Sequence, residues 1–568
     1  MKILFLTHSF NCLTQRLFAE LTQCGHELSV EFDISDAVTC EAVGLFQPDL
    51  IIAPFLKRAI PETIWRNHTC LIVHPGIIGD RGPSALDWAI MNNLPEWGVT
   101  VLQANAEMDA GDIWAAEVFP MRFTKKSSLY RHEVVEAATR AVLAAVIRFE
   151  SGAYQPVPLD YSRADVRGRL HAPIRQSDRS IDWQHDNTHT ILRKIHAADG
   201  FPGVLDELFG EACYLFDACR EESLRGKPGT IVAKRNNAIC RATIDGAIWL
   251  GHLKHKQEQD SEPAFKLAAA TALQNHLADV PEIPDDPFAQ SGAGTYREIW
   301  FEQKNDVGYL HFNFYNGAMD TAQCERLREV YLETTSRDVR VIVLMGGSDF
   351  WSNGIHLNHI EHTASPADES WRNINAMNDL VHAIITSDRQ LTIAALQGNA
   401  GAGGVFLSLA ADYIFARASV ILNPHYKSMG NLYGSEYWTY LLPRRVNAIQ
   451  ANSLTQNRLP VSAQKAREIG LIDDCFALNP EEFKEKITSI AETLVADPGF
   501  FSLLKQKQQQ RQYDEQKKPL QNYRDEELRR MQLNFYGFDP SYHVARYHFV
   551  HKILHGWTPR YLARHRRL

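Results

Sequence analysis

The sequence predicts an α/β protein in three parts, two α/β halves separated by a small β domain. Three observations carry this reading. Short apolar runs alternate with helical patterns through the first ~150 residues, short β runs crowd into about 175–275, and a second strand–helix alternation begins near 297.

In the first half, Lys2–Thr7, Leu28–Asp33, Asp49–Phe55 and Leu71–His74 read as strands. Thr14–Cys24 and Ala37–Phe46 read as helices. Nearly continuous apolar strands are those covered on both faces, which predicts a doubly wound parallel sheet with ligands beyond its carboxyl ends. His74 stands at such an end. The middle part reads as a helix carrying Ile191 and Ile195, then runs at Ala212–Phe216, Gly229–Ala233, Ala238–Thr243 and Ala247–His252. That pattern predicts a small β-barrel-like domain. A stretch rich in Pro, Asp, Gly and Ala reads as a linker. In the last part Val307–Asn313, Val339–Met345 and Leu391–Leu396 are predicted strands and Thr321–Thr334 a helix. Glu481–Leu494 and the highly charged Phe500–Arg530 are predicted helices. The expected domains are 1–170, 171–276, a linker at 277–296, and 297–568 ending in a helical tail.

The bulk numbers exclude several classes. A net charge of −9 argues against a general nucleic-acid binder, and the basic stretch Arg560–Arg567 reads as a solvated terminus. No run of about 18 apolar residues is present, so no membrane span is predicted. The apolar start is broken by His8, Asn11 and Gln15, which favours a buried first strand over a signal peptide. Nine scattered cysteines without paired spacing fit reduced thiols and a cytoplasmic location.

Two clusters carry chemistry. Val73-His74-Pro75-Gly76 is followed by Met108-Asp109-Ala110-Gly111-Asp112, and a His beside a carboxylate is a general acid/base pair. Arg81-Gly82, Trp88-Ala89 and Gly98-Val99-Thr100 lie between them. In this order the elements resemble the 10-formyltetrahydrofolate-dependent formyltransferases, whose pattern is Asn-x-His-Pro-Ser, Arg-Gly, Trp-Ala, Gly-Val-Thr and Asp-Thr-Gly-Asp. The resemblance covers about residues 1–275 and implies that His74 shuttles a proton with Asp109 as its support. The family's oxyanion-stabilising Asn falls on Ile72, which cannot donate through its side chain. The loop Thr7–Gln15 faces the formyl acceptor in relatives, so Ser9, Asn11 and Gln15 are candidates for substrate contact, alongside plain helix capping.

The second cluster is Gly398-Asn399-Ala400-Gly401-Ala402-Gly403-Gly404 after the strand Leu391–Leu396. Small residues there let backbone N–H groups approach a ligand. With the stretches around Gly354-Ile355 and Leu459-Pro460, it resembles the crotonase (enoyl-CoA hydratase/isomerase) family over about 297–490. The resemblance implies coenzyme A as ligand and a thioester oxyanion hole from the amides of Ile355 and Gly403. The two hydratase glutamates fall on Phe406 and Tyr426, which argues against water addition. Tyr426 with Glu436 is a candidate proton relay. His356, His359 and His362 read as a polar helix face, and no metal is predicted.

The predicted fold class is therefore a formyltransferase-type doubly wound domain, a small β-barrel domain and a crotonase-type spiral α/β domain with a helical tail. That order resembles the HypX (HoxX) family of hydrogenase maturation factors. The resemblance implies formyl transfer from 10-formyltetrahydrofolate to coenzyme A, then breakdown of formyl-CoA to CO for a hydrogenase iron. Small-molecule substrates and hydrogenase maturation proteins, or the hydrogenase large subunit, are the implied partners. Two other readings stay open: formylation of a sugar nucleotide or other amine with a vestigial second half, and a non-catalytic folate/CoA scaffold.

Overall fold

The computed structural model describes residues 1–257, 263–289, 294–554 and 556–566. It divides into two units, Met1–Glu282 with Leu554–Leu568, and Ile283–Ile553.

The first unit opens with six strands: β1 Lys2–Thr7, β2 Glu27–Phe32, β3 Leu50–Phe55, β4 Cys70–His74, β5 Glu96–Gln103 and β6 Ile113–Pro120. Their spatial order is β2-β1-β3-β4-β5-β6. β1 to β4 run parallel, as their apolar runs predict. β5 and β6 are antiparallel to their neighbours, so the all-parallel expectation holds only for four strands. β6 returns beside β5 as a hairpin, which needs no crossover helix. Asn11 caps helix Cys12–Gln23 and Ser35 caps Asp36–Phe46, each side chain accepting a backbone N–H.

The small β domain pairs Val204–Leu208, Glu211–Glu221, Ala247–His255, Ala238–Ala242 and Ile231–Arg235 in that spatial order. Helix Thr188–Ala198 packs its Ile191, Leu192 and Ile195 into the core of this sheet.

Residues 554–568, expected as the end of the helical tail, group with the first unit instead. Residues 558–566 lie along β2, the edge strand. Val30 N donates to Leu562 O (3.1 Å) and Phe32 N to Thr558 Oγ1 (2.8 Å). The buried Glu31 carboxylate accepts from the Thr558 hydroxyl, His565 Nε2 (2.9 Å) and Arg566 (2.8 and 3.0 Å). Burial alone would raise its pKa; the bonds from His565, Thr558 and Arg566 bring it below the ordinary value. His565 and Arg566 of the basic stretch are thus pinned rather than solvated, and β2 is not left as an open edge.

In the second unit, Ile299–Lys304, Val307–Phe312, Val341–Leu344, Leu391–Leu396, Tyr413–Arg417 and Asp474–Phe476 form a six-stranded sheet in that order, parallel after the first pair. A four-stranded sheet of Phe350–Ser352, Asn399–Gly401, Ile421–Asn423 and Val461–Ser462 carries the glycine cluster. The unit boundary at 282/283 lies inside the proposed linker, of which 290–293 fall outside the described residues. The expected single helix Phe500–Arg530 is two helices, Phe500–Lys517 and Leu520–Tyr536. Pro519 separates them, because it lacks the N–H that would continue the first. Among the described residues no single helix is long and apolar enough to cross a membrane.

Candidate active sites

The first site lies at the carboxyl end of β4. His74 is buried there, with Nε2 2.8 Å from Asp80 Oδ2 and Nδ1 3.6 Å from Asp109 Oδ2. The first distance is a hydrogen bond; the second is too long for one. Sequence reasoning pairs His74 with Asp109, whereas the structure puts Asp80 closer. Asp80 is fully enclosed, and its Oδ1 also meets His171 Nδ1 at 3.0 Å. Asp109 adopts a positive φ of 53° and accepts from Gly82 N at 3.2 Å.

Glycines make this loop possible. A Cβ on Gly76 would fall 2.4 Å from His74 Nε2 and 2.5 Å from Asp80 Oδ2. The formyltransferase pattern has a serine there, so Gly76 is the room that the Asp80 contact requires. Gly82, at φ +112°, would drive a Cβ to 2.4 Å from His171 O.

The remaining predicted groups fall as follows. Ile72 is partly buried against the core that includes Leu4 and Ile51, and its side chain brings no donor. Asn11 caps its helix and reaches Tyr130 Oη at 3.3 Å. Gln15 Nε2 donates to Phe10 O at 2.9 Å, and the backbone carbonyl of Ser9 accepts from Thr7 Oγ1. The Ser9–Gln15 segment is therefore held by bonds within itself and by Tyr130.

The second site assembles in the second unit. The Cβ direction of Gly354 ends 3.3 Å from Gly403 N, so the two segments of the predicted oxyanion hole meet. Ile355 follows Gly354 in a short strand beside Ala318–Met319. A Cβ on Gly403 would lie 2.3 Å from Glu436 Oε1, which puts that carboxylate directly on the glycine cluster. Tyr426 Oη donates to Glu436 Oε2 at 2.5 Å, and Ser435 N donates to the same oxygen at 3.2 Å. Phe406 stacks on Tyr426 with ring centroids 5.3 Å apart, sealing the face where a hydratase would hold a carboxylate.

Burial pushes the Glu436 carboxyl up to about 7, against the opposing bonds from Tyr426 and Ser435 N. The Tyr426 hydroxyl is held well above its usual range by burial and by the Glu436 charge. A group near neutrality, in contact with a second proton carrier, is suited to take and return a proton at pH 7.

Glu436 and Tyr437 both have positive φ, 60° and 57°. Sequence reasoning missed what holds this corner. Asn378 Oδ1 accepts from Glu436 N at 2.8 Å, and Glu527 accepts from Tyr437 N at 3.0 Å and Thr439 N at 2.8 Å. No motif marks either residue; only an inward-facing carboxylate on an otherwise charged tail helix hints at Glu527. The expected histidine face is partly internal: His356 Nδ1 accepts from His359 N and caps its helix, and His359 lies 3.6 Å from Glu369.

A histidine between two carboxylates at a strand end, and a tyrosine–glutamate pair on a crotonase glycine cluster, define a formyltransferase–crotonase fusion. Family models agree: "Formyl transferase" matches 31–146, "Formyl transferase, C-terminal domain" 173–266, and "Enoyl-CoA hydratase/isomerase" 304–535. The chain is 53% identical to "Hydrogenase maturation factor HoxX" of Bradyrhizobium diazoefficiens, over 100% of this chain and 97% of that one. A solved structure, HypX from Aquifex aeolicus in complex with tetrahydrofolic acid, is 48% identical with a TM-score of 0.96, covering 100% and 99% of the two chains. A methionyl-tRNA formyltransferase of Nitrosomonas eutropha is 23% identical over 44% of this chain and 75% of its own length. The chain belongs to the HypX/HoxX family of hydrogenase maturation factors.

Proposed function

We propose that the protein transfers the formyl group of 10-formyltetrahydrofolate to coenzyme A and then releases CO from formyl-CoA for the iron of a [NiFe]-hydrogenase, in the cytoplasm. The observation that carries this reading is the Tyr426–Glu436 pair. It places a carboxyl poised near pH 7 on Gly403, where a crotonase polarises a thioester carbonyl.

At the first site the coenzyme A thiolate attacks the formyl carbon, and the tetrahedral oxyanion collapses by expelling the folate nitrogen. His74 Nδ1, which lacks a hydrogen-bonded partner at Asp109's distance, takes the proton of the coenzyme A thiol as sulfur attacks and returns it to the departing folate nitrogen, while Asp80 fixes the ring through Nε2. A thiolate is a good nucleophile, so the loss of an Asn donor at Ile72 is tolerable here. Ser9 and Gln15 line the acceptor side in this reading. A folate substrate is supported by the Aquifex relative, which was solved with tetrahydrofolic acid bound.

At the second site the ionised Glu436 takes the formyl proton. The C–H electron pair becomes the carbon lone pair of CO, and the C–S pair leaves with sulfur. The proton then passes from Glu436 to the thiolate, with Tyr426 steadying the carboxylate. The amides of Ile355 and Gly403 hold the carbonyl oxygen. Formyl-CoA has no α-carbon and no alkene, so Phe406 costs this reaction nothing.

The test is to supply 10-formyltetrahydrofolate and coenzyme A, trap CO with deoxymyoglobin and follow formyl-CoA by mass spectrometry. His74→Ala is expected to block formyl-CoA formation. Tyr426→Phe is expected to let formyl-CoA accumulate without CO. Absence of CO from the wild-type protein would refute the reading.

A further inference from the structure

We infer that Glu527, on the tail helix Leu520–Tyr536, is a positioning residue for Glu436, holding the Ser435–Glu436–Tyr437 corner in the conformation that lays the Glu436 carboxylate between Tyr426 Oη and Gly403. This rests on the reading of Tyr426–Glu436 as the formyl-CoA centre.

The corner needs such a hold. Two consecutive non-glycine residues in the left-handed region are strained and persist only where their surroundings over-determine them. The backbone donors are fully assigned. Ser435 N goes to Glu436 Oε2, Glu436 N to Asn378 Oδ1, Tyr437 N to Glu527 Oε2, Trp438 N to Ser435 O and Thr439 N to Glu527 Oε1. The Thr439 hydroxyl adds a bond of 2.5 Å to Glu527 Oε1, and Ser435 Oγ lies 3.3 Å from Oε2. Glu527 thus takes the donors that follow Glu436 and touches the Ser435 hydroxyl before it, whose one proton it shares with Asn378 Oδ1 at 3.0 Å.

Glu527 is 0% exposed, and none of its four polar contacts, three donors and the shared Ser435 hydroxyl, carries a full charge. Burying a carboxylate on such terms is costly, and a helix otherwise rich in solvated charge has no packing need for it. Burial pushes its carboxyl up to about 8, the Glu436 charge adding to the rise against the bonds from Thr439 and Tyr437 N. The titratable groups reaching Glu436 are Tyr426 from the segment after Ile421–Asn423, Cys324 from helix Thr321–Thr335, and Glu527.

Glutamine separates positioning from packing. It has the shape of glutamate but one acceptor oxygen, so its NH2 would face the N–H of Tyr437 or Thr439. In the full-length protein the Glu436 carboxyl is titrated by infrared spectroscopy, its band identified by loss in Glu436→Gln. The wild-type midpoint is expected near 7. In Glu527→Gln the corner opens to water, and the midpoint is expected to fall by about one pH unit or more toward the ordinary value. The kcat of formyl-CoA breakdown is expected to drop about 10²-fold with KM unchanged, the cost of misplacing a reacting group by 1 Å. Thr439→Val, which removes one of the four contacts, covers the case in which the glutamine variant does not fold. It should shift the midpoint the same way by less. A wild-type midpoint and kcat in Glu527→Gln, or an unmoved midpoint in Thr439→Val, overturns the inference. A shifted midpoint in a protein that makes no CO supports the positioning and sinks the proposed reaction instead.

Discussion

Adding one methyl group at Gly403 tests the second site directly. In Gly403→Ala the new Cβ would begin 2.3 Å from Glu436 Oε1 and 2.8 Å from its carboxyl carbon. Ordinary contact is about 3.4 Å or more, so the carboxylate must retreat by roughly 1 Å. The helix backbone cannot yield instead, because neighbouring Gly404 already lies where a Cβ would sit 2.0 Å from Ser352 O. The retreat stretches the 2.5 Å bond from Tyr426 and moves the base off the carbonyl carbon. A 1 Å misplacement costs about 10²-fold in rate. The assay is CO release from synthetic formyl-CoA, with formyl transfer from folate measured in the same preparation. The expected result is a loss of about 10²-fold in the first and none in the second. A variant that keeps more than about half of its CO release would show that Glu436 does not work from this position.

Three further outcomes follow. Asp80→Asn should cost formyl transfer about 10²–10⁴-fold and Asp109→Asn less, since only Asp80 is within hydrogen-bond distance of His74; equal losses would return the supporting role to Asp109. Glu436 and Glu527 hold protons more tightly folded than unfolded, with pKa values near 7 and 8 against 4.5, so their contribution to stability is present below pH 4.5 and is lost as pH rises through 8; thermal melts of the Glu436→Gln, Glu527→Gln double variant should show a shallower decline between pH 5 and 9 than wild type. Glu31→Ala leaves the enclosed His565 and the partly exposed Arg566 without their carboxylate, and urea unfolding of the first unit should report a loss of about 3–5 kcal/mol.

What the sequence made legible was set by local patterns. The apolar strands β1, β3 and β4 and Leu391–Leu396 emerged within a residue or two, because a strand covered on both faces has one composition whatever surrounds it. His74, Gly403 and Tyr426 could be proposed from the sequence because their motifs are contiguous. Asp80 did not, although it lies six residues from His74. Its approach depends on Gly76 and Gly82 folding the loop back, and spacing alone does not encode that. Asn378 and Glu527 were further out of reach. Asn378 precedes Glu436 by 58 residues and Glu527 follows Tyr437 by 90, and they meet only after the tail helix has broken at Pro519 and packed inward.

A substitution at each site has a common physical sense. At the first site Gly76 replaces a serine, and the space it leaves is filled by the His74–Asp80 contact. At the second site the hydratase carboxylates are absent, and a different carboxylate arrives from a strained corner onto the same glycine cluster. A corner with two left-handed residues is an expensive way to present a glutamate. In the proposed reaction it has a use, because there the proton to be moved lies on the carbonyl carbon itself, rather than on a neighbouring carbon or a water. The helix-borne acceptors Asn378 and Glu527 offset that cost, and on the proposed reading the tail helix serves the chemistry of the second site as well as its packing.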